Sequence, residues 1–387
     1  MRGQPRYPPL PPAPVPDRPL VAVAGQTPPP YHGQAIMIAS MLQGDDGPVR
    51  YLHVPMDYST TLDEVGRPGL GKVAELARVV GRLWRARWRG ARTLYYPPAG
   101  PNLVPVLRDL GVLLTSRWLF DTTVFHFHAG GLSEYVGQLP AALRPLARWA
   151  YREPDLAIRP SPLAVRDGAF FGARRDVVVR NGVDDPGAQY DVPRPVRADG
   201  PVRLILVSSL RESKGVDALV EATAVLVGRG HDLQVNLVGG FASDADEQRI
   251  RALIEARGLG DRVHLPGVLT GDAKEQAYAA ADVFCFPTFY ESEAAPLVLV
   301  EAMTHRLPIV STRWRGVPAV VDEACARLAE PGDVASFVEA LEPVVADAAL
   351  RQQMGEAGRA RYEAHFTSEI YRRRLREEIA RTIAESA

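Results

Sequence analysis

Cysteine is scarce. The 387 residues hold two, Cys285 and Cys325, too few for a disulfide framework, so a reducing cytoplasm is the expected setting. Neither sign of charge is in excess: the formal net charge is −1, which argues against a general nucleic-acid binder. No apolar run approaches the roughly 20 residues that cross a bilayer. The amino terminus has no charged-then-apolar signal pattern, so neither membrane spanning nor export is expected. What is present is 46% apolar and 24% charged residues, the balance of a globular chain long enough for two domains with separate cores.

Residues 1–18 are proline-rich (Pro8-Pro-Leu-Pro-Pro12, Pro14, Pro16), which favours an extended leader over packed structure. From Val21-Ala-Val-Ala24 onward, short apolar strands alternate with helical patterns. Strands are predicted at Tyr51–Val54, Thr93–Tyr96, Thr123–Phe127, Leu156–Ile158 and Val177–Val179. The loop Gly25-Gln-Thr-Pro-Pro-Pro-Tyr-His-Gly33 follows the first of them but lacks the spacing of a dinucleotide fingerprint. Asn181-Gly-Val-Asp-Asp-Pro186 breaks the alternation, and Asp191 to Gly200 reads as a linker. A second alternating series then runs through Val202–Val207, Gln234–Val238, Val263–Leu265, Val283–Phe286 and Ile309–Thr312. The expected fold is α/β, with two Rossmann-like doubly wound halves, 19–188 and 189–365, facing each other across a cleft. A charged helix at 366–387 is assigned to pack back on the first half.

The densest chemistry lies in Pro287 to Met303, where a buried strand runs into a helix, with Pro296 read as its first residue. Glu293 falls in the loop and Glu301 inside the apolar helix. A carboxylate in such surroundings needs a polar partner. One reading is structural, with Glu293 capping the helix and Glu301 pairing with a core arginine; the other is functional. Ser208-Ser-Leu-Arg-Glu-Ser-Lys-Gly215 delivers Arg211 and Lys214 at a strand's carboxyl end, where cations beside helix amides suit phosphate. Gly239-Gly240 either lets a ligand approach the backbone or makes a tight turn. In Phe125-His-Phe-His-Ala-Gly-Gly131 the two histidines are expected on opposite strand faces, so that they cannot share a metal, with His128 at the mouth as the functional one.

Taken together, Ser213-Lys-Gly215, Gly239-Gly240 and the pair Glu293 and Glu301, separated by seven residues, resemble the retaining GT-B glycosyltransferases of family four. Asn181-Gly-Val and Thr312-Arg-Trp-Arg-Gly-Val-Pro318 extend the likeness over the second half. In the first half it rests on Pro28-Pro-Pro-Tyr-His-Gly33 and Phe125 to Gly131. The resemblance implies transfer of a hexose-type sugar from a UDP- or GDP-linked donor to a hydroxyl acceptor in polysaccharide, glycolipid or glycoconjugate synthesis, with no metal or other cofactor. It gives Lys214 the diphosphate, Glu293 the sugar hydroxyls and Glu301 the ribose. Gly33 is implied in close approach to the donor and His128 in contact with the sugar. Ser209, Ala294, Ala295, Pro296, Leu297 and Val298 complete the implied donor site.

Three departures stand out. Ser209 replaces a common arginine, for which Arg211 is the available substitute. Ala294-Ala295 replaces a common Phe-Gly, and Arg306 replaces a helix-end glycine. On the acceptor side, Gly81 to Arg92 and Leu143 to Arg152 mix tryptophan with arginine. That pattern suits either an anionic membrane surface holding lipid-linked acceptors or an ordinary amphipathic helix. Readings from other classes are a sugar phosphorylase or epimerase on the same architecture and a non-catalytic nucleotide-sugar-binding subunit.

Overall fold

The computed structural model describes residues 18–386 except 30, 45–46, 59–69, 99, 188 and 191–199, with only the backbone of 70–72. The leader up to Asp17 and nearly all of the expected linker lie outside the described residues.

The first half is a parallel sheet of β1 (Leu20–Gly25), β2 (Arg50–Pro55), β3 (Thr93–Tyr96), β4 (Thr122–His126), β5 (Leu156–Arg159) and β6 (Arg175–Val178). Its order is β2-β1-β3-β4-β5-β6. The second comprises β7 (Val202–Val207), β8 (Leu233–Val238), β9 (Val263–Gly267), β10 (Val283–Phe286), β11 (Ile309–Thr312) and β12 (Ala326–Ala329), in the order β12-β11-β10-β7-β8-β9. Strand sequences such as Val283-Phe-Cys-Phe286 are apolar throughout because helices cover both faces of a parallel sheet, and all four residues are buried. The two doubly wound halves expected from the alternation are therefore present. Chain progression reverses between β1 and β3 and between β7 and β10, and ligands of such sheets collect at these points, beyond the strand carboxyl ends.

Two chain crossings join the halves side by side. Val183 bridges Thr367, the Tyr362 hydroxyl donates to the Val183 carbonyl at 3.1 Å, and Arg359 pairs with Asp185 at 2.6 Å. Helix Ser368–Ser386 then lies on the first sheet. Tyr371, Leu375 and Ile379 enter the same apolar cluster as Val21, Val23 and Tyr95. Arg376 donates to the carbonyls of Gln43 and Gly44 at 2.7 and 2.6 Å. Among the described residues no helix is long and apolar enough to cross a membrane.

Candidate functional site

The second sheet's switch point is where the charged groups meet. After β7 the chain turns through Glu212–Lys214 and enters helix Val216–Gly228; after β10 it loops to helix Leu297–Thr304. Because β7 and β10 are hydrogen-bonded neighbours, residues 79 apart in sequence face each other: Lys214 Nζ lies 2.6 Å from Glu293 Oε2. Thr288 Oγ1 donates to the same oxygen at 3.2 Å. The ammonium also sits over the Tyr290 ring, 4.2 Å from its centroid, and the Arg211 guanidinium approaches that ring at 5.8 Å. Arg211 Nε is buried without a hydrogen-bond partner, so a cation with unused donor capacity stands beside the ion pair.

Glu293 does not cap the following helix. Pro296 precedes that helix as its cap residue rather than opening it, and the Glu293 carboxylate is engaged by Lys214 and Thr288 instead. The loop is clamped from behind by the stretch after β11. Trp314 Nε1 donates to the Tyr290 carbonyl at 2.8 Å and Gly316 N to the Glu293 carbonyl at 3.1 Å. A Cβ on Gly316 would stand 1.7 Å from the Ala294 carbonyl oxygen, so only glycine permits this approach.

The expected core arginine for Glu301 is replaced by two other partners. Lys274 Nζ lies 2.9 Å from Oε1 and the Tyr278 hydroxyl donates to Oε2 at 2.9 Å. Burial first, and the Glu301 charge second, raise the Tyr278 pKa and keep its hydroxyl a donor. Lys274 and Tyr278 are four apart on helix Gly271–Ala280, a spacing that puts both on one face. That signal was available in the sequence and went unused. Asn181, read as a turn residue, donates through Nδ2 to the Ala295 carbonyl at 3.3 Å, joining the domain crossing to the loop that carries Glu293.

Gly239 is required by the chain itself. Its φ is +145°, and a Cβ there would fall 1.7 Å from the Ser208 carbonyl oxygen, which favours the tight-turn reading. Gly33 differs: a Cβ would meet only the Leu297 side chain at an ordinary 3.7 Å, so its small size serves no close contact within the protein.

The expectation that His126 and His128 point to opposite faces is not met. Residues two apart on a strand share a face, and the two rings stack with centroids 3.9 Å apart. The Tyr95 hydroxyl bridges them, 2.7 Å from His126 Nδ1 and 3.5 Å from His128 Nε2. Burial, then the charge of nearby His32, push His128 down to about 3; burial and then Arg108 lower His32. Both rings are therefore neutral near pH 7. Among the described residues no group of three or more His, Cys, Asp or Glu side chains is placed to hold a metal.

A cleft of about 1430 Å³ lies between the halves, and many of these groups line it. Gly33 and His128 line it from the first half; Ser209, Arg211, Lys214, Gly239, Gly240 and the whole stretch Glu293 to Val298, with Glu301, line it from the second. Hydroxyl-rich and phosphorylated groups are what such a wall can hold: carboxylates accept from hydroxyls, and the cations and exposed amides meet anions.

Residues 191–361 match the family model described as glycosyl transferases group 1. The chain is 30% identical over 235 residues to the putative colanic acid biosynthesis glycosyltransferase WcaL of Escherichia coli K12, covering 59% of this chain and 54% of that protein. It thus spans about half the length of the curated relatives it matches. In structure it is similar to a sucrose-phosphate synthase from Thermosynechococcus elongatus, with a TM-score of 0.70, 19% identity, and coverage of 96% of this chain and 100% of that one. Anabaena HepE in complex with UDP gives a TM-score of 0.69 at 18% identity, covering 95% and 100%. The shared architecture is GT-B.

Proposed function

We propose that this chain, whose residues 191–361 match the glycosyl transferases group 1 model, moves a hexose-type sugar from a nucleotide-sugar donor to an acceptor hydroxyl with retention of configuration. The observation that carries this reading is the Lys214–Glu293 pair at the β7/β10 switch point, with Arg211 beside it and Glu301 one helix turn deeper. The similarity to HepE in complex with UDP supports a uridine nucleotide as the first donor to test.

In this reading the donor diphosphate displaces Glu293 from Lys214, takes the ammonium and Arg211, and leaves Glu293 to accept hydrogen bonds from the sugar. Glu301, held by Lys274 and Tyr278, accepts from the ribose. The bond from anomeric carbon to diphosphate oxygen breaks, and the sugar gains oxocarbenium character. The acceptor oxygen bonds the same face of that carbon, and its proton passes to the departing diphosphate. Fixed cations stabilise the leaving charge in a cleft that domain closure empties of water. The neutral His128 ring offers a hydrogen bond to the sugar.

Peripheral contact with an anionic membrane, in a cytoplasmic setting, belongs to the same proposal. It draws on the exposed tryptophans of the first half, Trp84, Trp88, Trp118 and Trp149. The enzymatic test is slow donor hydrolysis over a panel of UDP- and GDP-sugars. One donor is expected to release nucleoside diphosphate, and both Glu293→Gln and Lys214→Ala should lower that rate at least a hundredfold, as losing a charged partner of the transition state does. Near-wild-type turnover in both variants, or tight binding with no release from any donor, would sink the assignment.

A further inference from the structure

Where the first half meets the cleft, one tyrosine and two histidines form a trio whose geometry permits only two proton orders. The Tyr95 hydroxyl stands between His126 Nδ1, at 2.7 Å, and His128 Nε2, at 3.5 Å. Burial raises the Tyr95 pKa well above its ordinary value, so the hydroxyl keeps its single hydrogen. It donates to one ring and must accept from the other. Burial, as the larger cause, lowers the pKa of both imidazoles, and they are neutral near pH 7. Each ring therefore carries one N–H and one bare nitrogen.

His126 Nε2 decides between the two orders. It is buried without a hydrogen-bond partner, on a residue that is 0% exposed. The Tyr371 ring lies 6.5 Å from the His126 ring, but its hydroxyl donates to the Met37 carbonyl at 3.3 Å. If His128 donated to Tyr95 and Tyr95 to His126, the orphaned Nε2 would be a buried N–H. If His126 donates through Nδ1 to Tyr95 and Tyr95 to His128, the orphan is only a lone pair. Orphaned N–H groups are the rarer of the two in protein interiors, which selects the second order. The hydrogen of His128 then sits on Nδ1. That nitrogen has no partner among the described residues and is not buried, on a ring that lines the cleft. Histidine in water mostly carries its hydrogen on Nε2, so the trio inverts the intrinsic preference.

We propose that Tyr95 and His126 are positioning residues: together they fix the hydrogen of His128 on Nδ1, so that this ring meets the sugar as a hydrogen-bond donor. Glu293, on the opposite wall, is a carboxylate that can only accept. One wall thus gives hydrogens and the other takes them, which suits the hydroxyls of a single sugar between them. The sugar enters on the strength of the glycosyltransferase reading. The place of the hydrogen does not, and spectroscopy measures it without turnover, so a chain that never hydrolyses a donor still passes or fails.

The test is long-range proton–nitrogen correlation NMR at pH 7.5 on the full chain with isotope-labelled histidine. Only eight rings contribute, and the two in question are assigned by their loss in His126→Asn and His128→Gln. In the wild type both are expected to carry the hydrogen on Nδ1. Tyr95→Phe should move the His128 hydrogen to Nε2. His126→Asn, whose amide can donate to Tyr95 as the imidazole did, should keep it on Nδ1, whereas His126→Phe should give a mixture. In donor hydrolysis Tyr95→Phe should lower kcat about tenfold with KM within about twofold, and adding it to His128→Gln should cost nothing further. A tyrosine that served only packing would add its own loss to that of His128→Gln. The wild-type spectrum and His126→Asn stand even where Tyr95→Phe does not fold. A His128 hydrogen on Nε2 in the wild type, an unchanged His128 tautomer in Tyr95→Phe, or additive losses in the double variant would each overturn the proposal.

Discussion

At the scale of single residues, the loop after β7 asks whether one cation can stand in for another, since Ser209 departs from the pattern of the resembled family and Arg211 is the available substitute. Ser209 brings no charge to the loop after β7, yet Arg211, two residues later, shares the Tyr290 ring with Lys214 and keeps Nε unpaired. Hydrogen bonds to charged groups contribute about 1.5–3 kcal/mol, so Arg211→Gln should lower kcat/KM for the donor about tenfold or more. Adding Ser209→Arg to that variant should recover much of the loss; a double variant no better than the single one would show that the two positions are not equivalent. The histidines make a second prediction. His128 titrates near 3 in the folded chain and near 6.5 when unfolded. Between those values the unfolded chain binds the extra proton, so stability rises with pH. The contribution is complete above pH 6.5 and is lost as pH falls towards 3, at up to about 1.4 kcal/mol per unit. In urea unfolding at pH 7.5 and 5.0, His128→Gln should lose less stability on acidification than the wild type. Equal losses would mean that burial does not hold the ring neutral.

At the scale of elements, contact overrides propensity most plainly where helix Ala348–His365 crosses the end of helix Leu297–Thr304. Arg306 takes a left-handed φ of 53° where a helix end usually has glycine, and its guanidinium pairs with Glu356. The neighbouring Gly355 is inside a helix, where alanine would be better by about 1 kcal/mol on propensity. A Cβ there, however, would lie 2.1 Å from the Arg306 carbonyl oxygen. Gly355→Ala should therefore destabilise the protein by more than about 1 kcal/mol, read as a lower urea midpoint with unchanged slope; a gain in stability would mean that the crossing relaxes freely. The same contest explains what could be read from the sequence. Val202–Val207, Val283–Phe286 and Ile309–Thr312 are runs of buried β-formers, and the strands lie where the runs do. β12 (Ala-Arg-Leu-Ala) has no such run and exists by pairing with β11. Residues carrying chemistry in short signature stretches, Lys214 and Glu293 among them, were legible. The four-residue spacing of Lys274 and Tyr278 was visible but the carboxylate it faces was not, and Arg108 likewise reaches the cleft on a separate element through tertiary packing. The histidine pair was misread for a local reason, a face assignment that strand periodicity itself contradicts.

Over the whole molecule, the halves divide their surfaces as well as their chemistry. The first half carries exposed aromatics on helix Leu70–Trp88 and its neighbours: Trp88 is 83% and Trp118 63% exposed, and Trp84 packs edge-on against Trp118 at 5.6 Å. On that helix Arg82 is tied to Glu75 and the Pro55 carbonyl, and Arg87 to the Leu119 carbonyl. Arg85 and Arg89 make no side-chain hydrogen bond among the described residues. Inward-packed tryptophans would have made this an ordinary amphipathic helix; exposed ones beside free guanidinium groups match the interface of an anionic bilayer, where each basic residue adds about 1 kcal/mol. The full chain is therefore expected to sediment with vesicles containing phosphatidylserine or phosphatidylglycerol at low salt. It should be released by 0.5 M salt, since screening shortens the reach of surface charge to a few ångströms (about 3 Å at 1 M). The double variant Trp88→Ala with Trp118→Ala, at exposed positions that leave both sheets intact, should stay in the supernatant at every salt concentration. Sedimentation of that variant like the wild type, or failure of the wild type to sediment at all, would remove the membrane from the proposal while leaving the reading of the cleft untouched.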